Sequence, residues 1–86
     1  MSDAPLLSRV IRVLLRGEWS APAAQGLLAS DPRVRTLRRV LVTYPDVRHI
    51  LPDRISLEDT TDRSTVDTLK HFLERQQWLV TAVVIE

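Results

Sequence analysis

At 86 residues, with 44% apolar and 27% charged side chains, the chain is long enough for one hydrophobic core and too short for two. Its formal net charge is +1 and it has no cysteine, which excludes a disulfide framework and a thiolate metal site and leaves stability to packing. No apolar run approaches the roughly 20 residues that span a bilayer, so no membrane segment is expected.

The opening residues Met1 to Pro5 lack the basic start and small-residue cleavage pattern of a secretory signal, and the expected location is the cytoplasm. From Leu6 to Leu15, the residues Leu7, Val10, Ile11 and Leu14 recur at helical spacing, while Arg9, Arg12 and Arg16 fall along another face. This pattern predicts an amphipathic helix that Gly17 ends. Ser20 followed by Ala21 and Pro22 reads as the cap and first turn of a second helix over 21–29, with Trp19 an apolar lid before it.

Ser30-Asp31-Pro32 repeats the signal, with Asp31 as cap and Pro32 at the first helical position. The third helix is expected to run from Pro32 to about Thr43, with Leu37, Val40, Leu41 and Tyr44 on one stripe and Arg35, Arg38 and Arg39 opposite. Pro45 ends it at Tyr44 and starts a short fourth helix, Asp46 to Leu51, which Pro52 stops. Residues 53–62 read as a polar loop, with room for one helical turn where Ser56 and Asp59 have capping-box spacing.

Helical spacing resumes from about Arg63 through Val66, Leu69, Phe72, Leu73 and Gln76. The last run, Trp78 to Ile85, is rich in β-branched residues and suits a strand or a helix. It is assigned as helix because no second strand is expected to pair with it, strand exchange between molecules being what would reverse the assignment. The expectation is an all-α fold: residues 1–86 as one domain, a compact bundle of about six helices.

Little in the chain supports catalysis. The two histidines, His49 and His71, fall on different predicted helices, and no glycine pattern marks a nucleophile elbow or an oxyanion hole. Asp67 and His71 stand four apart, but two ligands make half a metal site, and Gly17 and Gly26 are too few for a phosphate loop. No enzyme activity, cofactor or metal is expected.

Charge is more informative. Residues 1–54 hold nine arginines against five carboxylates, whereas residues 55–86 hold Arg63, Lys70 and Arg75 against six. Copies with a basic half and an acidic half can approach head to tail, a heterologous contact that stacks into rings or filaments. The expected interface residues are Arg9, Arg12, Arg35, Arg38 and Arg39 on the basic side and Glu58, Asp59, Asp62 and Asp67 on the acidic side. The alternative is a helix-turn-helix in which the basic helix 33–43 enters a major groove; the missing turn glycine and the acidic C-terminal half count against nucleic acid.

One further feature is the order LRRVLVTYP, DVRHIL, an acidic loop, then TVDTLKHFLERQQWLVTAV. It resembles the bacterial effector-associated, death-like domains, with Tyr44-Pro45 where Phe-Pro is usual and Gln76-Gln77-Trp78-Leu79 at the break into the last helix. The resemblance covers Leu37 to Val84 and implies a death-fold bundle. It also implies a non-catalytic adaptor that joins a sensor to a fused or neighbouring effector in bacterial immunity through contacts between like domains.

Overall fold

The computed structural model describes residues 9–86, and the predicted contributions of Leu6 and Leu7 lie outside them. In chain order the elements are strand β1 (Arg9–Leu15), a single helical turn α1 (Gly17–Ser20), a 3₁₀ turn (Gly26–Leu28), helix α2 (Pro32–Leu41), strands β2 (Val47–Leu51) and β3 (Arg54–Leu57), helix α3 (Arg63–Glu74) and strand β4 (Val80–Ile85). The strands form one antiparallel sheet in the order β2-β3-β1-β4. With α2 linking β1 to β2 and α3 linking β3 to β4, this is the split β-α-β arrangement, the ferredoxin-like topology.

The all-α bundle of six helices, and with it the death fold that the effector-associated resemblance implied, is therefore corrected to an α/β domain with three short helices and a four-stranded sheet. The first predicted helix is β1: Ile11 and Val13 alternate into the core, and Arg12 and Leu14 alternate out. The helical spacing of Val10, Ile11 and Leu14 arose because a strand apolar on both faces also satisfies a helical template. The second predicted helix is replaced by turns and the 3₁₀ turn. The fourth is β2, where a bulge between Val47 and His49 lets Val47 and Ile50 both face inward, opposite Leu57 and Ile55. That three-residue spacing imitates a helix.

Pro52 and Asp53 make the two-residue link of the β2–β3 hairpin, since Leu51 pairs directly with Arg54. Ser56 lies within β3 and caps nothing. The last predicted helix is β4, and the argument against a strand there failed because its partner, β1, had itself been read as helix. The two misreadings supported each other.

Two helices stand where the sequence put them. Asp31 accepts the Arg33 amide at 2.8 Å with Pro32 in the first turn of α2, and Asp62 accepts the Thr65 amide at 2.8 Å at the start of α3. Both helices cover one face of the sheet. Leu37 and Leu41 of α2 and Val66, Leu69 and Leu73 of α3 pack with Ile11, Val13, Ile55, Leu57, Leu79 and Val83. Each fully buried side chain of this kind contributes about 1.5–3 kcal/mol.

The long connection between β1 and α2 is braced at three points. Gly26, at φ +44, lies against the Pro52 carbonyl where no Cβ fits, and the Leu27 amide donates to that carbonyl at 2.9 Å. Arg38 donates from Nη1 to the carbonyls of Leu27 and Ala29 at 2.7 and 2.8 Å. Trp19 meets Trp78 edge to face at 5.6 Å, and the Arg33 guanidinium lies 4.5 Å from the Trp78 ring centre.

Candidate interaction surface

With both helices on one face, the opposite face of the sheet is left uncovered by the described residues. Register places Val10, Arg12 and Leu14 of β1, Arg54 and Ser56 of β3, His49 and Leu51 of β2, and Ala82 and Val84 of β4 on it. Leu14, Leu51 and Val84 are exposed there. Between them Arg12 Nε meets Glu86 Oε2 at 2.7 Å and Arg54 Nε meets Asp53 Oδ1 at 3.1 Å. The Arg54 hydrogen bond holds the Asp53 carboxyl below the usual range. Small apolar side chains among paired charges suit contact with protein. Among the described residues this face carries no Phe, Tyr or Trp on which a nucleic-acid base could stack, and its one ring is the His49 imidazole.

The sheet ends in two edges. β2 is short, bulged and carries Arg48 and His49, both exposed. β4 is a plain run, VTAVVI, without charge, proline or glycine, and its one irregularity is an extra residue at Thr81. The backbone groups on its outer side have no partner strand among the described residues.

The residues expected at an interface are dispersed. Arg9 and Arg12 lie on β1, and Arg35 and Arg39 stand exposed on α2. Arg38 curls inward as the clamp described above. Glu58 follows β3 and faces Arg48 at 3.7 Å, Asp59 is exposed in the next turn, and Asp67 is exposed on α3. Asp62 is the α3 cap, its pKa lowered chiefly by the Thr65 amide.

The segregated basic and acidic patches are not what the fold makes. Among the described residues five ion pairs knit the surface, and two of them, Arg12–Glu86 and Arg48–Glu58, join the basic half to the acidic half. The helix-turn-helix lacks its first helix, because residues 21–29 form turns. The β-branched composition of β4 suits a strand in the sequence itself, and what the sequence does not supply is the partner strand that decides it.

Two hollows remain. One of about 520 Å³ is lined mainly by Leu15, Trp19, Pro22, Gly26, Leu28 and Pro52. The other, a groove of about 720 Å³, follows α3 beside Tyr44, Thr68, His71, Phe72 and Arg75. Among the described residues no three histidines or carboxylates gather to hold a metal ion, and no helix is long and apolar enough to cross a membrane. Comparison with protein-family models, curated proteins and solved structures finds no match to this chain.

Proposed function

We propose that the chain is a non-catalytic protein–protein interaction module that works by homotypic association, its partner being a second copy of the same fold. The observation that carries this reading is the edge of β4, a row of amides and carbonyls without a partner strand among the described residues, beside an exposed apolar strip of Leu14, Ala82 and Val84. Such an edge is a template for another strand, and main-chain pairing supplies affinity without any reactive group. A sensor-to-effector adaptor in the cytoplasm of a bacterium is the setting that the effector-associated resemblance implies. The present reading keeps the contact between like domains and moves it from helix faces to a strand edge.

Sedimentation velocity over a concentration series tests it. The wild-type chain should self-associate, and Ala82→Lys, which puts a charge on the exposed edge opposite Leu14, should leave a monomer whose folding stability changes by no more than about 0.5 kcal/mol. A wild-type chain that stays monomeric throughout the series would refute the reading.

A further inference from the structure

We infer that two copies pair through β4 about a two-fold axis at Val83, with α3 of one copy beside α3 of the other in charge register. This rests on the homotypic reading above and adds its surface, its symmetry and its stopping point.

The strand pairing follows from the register. The Glu86 amide donates to the Val10 carbonyl at 2.8 Å, so Ala82, Val84 and Glu86 direct their backbone groups toward β1. By alternation Thr81, Val83 and Ile85 direct theirs outward. A two-fold at Val83 lets the two Val83 residues exchange both hydrogen bonds and sets Ile85 against the second copy's Thr81. The extra residue at Thr81 falls at the rim of this pairing, not its centre.

The helix supplies the selection for a second copy. Val66, Leu69 and Leu73 point α3 at the sheet, and Thr68, His71, Phe72 and Arg75 border the groove shared with Tyr44, on the side toward α2. The flank left over, on the β4 side, carries Arg63, Asp67, Lys70 and Glu74 at spacings of three and four, hence in one line. Lys70 Nζ holds Glu74 Oε2 on that flank at 3.3 Å. Arg63 and Asp67 make no ion pair among the described residues.

The signs along this line run plus, minus, plus, minus. Turned end for end they complement themselves: Arg63 meets the second copy's Glu74 and Asp67 meets the second copy's Lys70. α3 is about 18 Å long and β4 about 20 Å. They run antiparallel, and the proposed dimer sets the helix midpoint, between Thr68 and Leu69, over Val83. One axis thus serves both pairings, and no like charges oppose across it.

The contact is isologous, and it uses up the β4 edge of each copy. The joined sheet then ends at both sides in β2, which its bulge, Arg48 and His49 guard against further pairing. Assembly stops at two, in place of the head-to-tail rings or filaments that a split of charge would build.

The test uses the full chain at low ionic strength, with sedimentation for mass and circular dichroism to verify folding. Wild type should be a dimer that high salt weakens. Asp67→Lys and Lys70→Asp should each weaken it at least about ten-fold, a loss of about 1.4 kcal/mol, because each sets like charges across the axis twice. Mixed in equal amounts, the two variants should form a heterodimer, since each supplies the sign that the other lacks. A wild-type dimer that neither substitution weakens, or no heterodimer in the mixture, overturns this interface and leaves the homotypic reading standing. A wild-type monomer overturns both.

Discussion

β2 and β4 close the same sheet on opposite sides, yet they are finished in different ways. β2 has Pro45 and Pro52 on either side, a bulge at its start, and Arg48 and His49 exposed along it. The 3₁₀ turn braces the hairpin that ends it, through the Leu27 amide on the Pro52 carbonyl. β4 has no charge, proline or glycine between Val80 and Ile85. One lysine is enough to guard an edge, so the contrast between the two edges is what the proposed pairing through β4 rests on.

The guarded side can be broken most severely at Gly26. A Cβ there meets the Pro52 carbonyl and the Leu15 side chain at a positive φ, so Gly26→Ala should cost about 3 kcal/mol in urea unfolding and loosen the β2 hairpin before β4. Hydrogen exchange of the Leu27 amide would report it, and full protection there would contradict the bracing role. Arg38→Ala should cost about 2 kcal/mol, because the carbonyls of Leu27 and Ala29 lose a charged donor. Arg35→Ala on the exposed face of the same helix should change stability by less than about 0.5 kcal/mol, which separates a clamp from a solvated arginine.

Acid should act on both sides with a smaller effect. Asp53 in the β2–β3 hairpin is held low by Arg54, Asp31 by Arg33, and Asp62 at the start of α3 by the Thr65 amide. With folded pKa values below the unfolded ones, the unfolded chain takes up more protons. The stabilisation is therefore complete above about pH 4 and is lost as pH falls through the folded values. Fluorescence of Trp19 and Trp78 against urea at pH 7 and pH 3 would show it, and equal midpoints would contradict it.

The fold was legible in the sequence at α2 and α3, and hidden at each strand. Asp31-Pro32 announces α2 through the chain's own backbone amides, and the spacing of Val66, Leu69 and Leu73 leaves α3 few alternatives. The strands are short, and three of them fit the helical template, each for a separate reason: β1 carries apolar residues on both faces, β2 is bulged, and β4 is a mostly apolar run without a period of two, whereas β3 lies in a segment whose polar composition reads as loop. Arg38 shows the same limit at the level of one side chain. Nothing in Arg35, Arg38 and Arg39 distinguishes the one that turns back to bind carbonyls.

By itself the sequence determined the single core, the caps of the two long helices and the absence of thiol chemistry, because each depends on composition or on neighbours a few residues apart. Tertiary structure alone decided that four segments would be strands, that the two charge halves would interlock, and that β4 would be left at an edge. A strand's hydrogen bonds belong to partners such as Val10 and Glu86, 76 positions apart, and no local pattern records a partner at that distance.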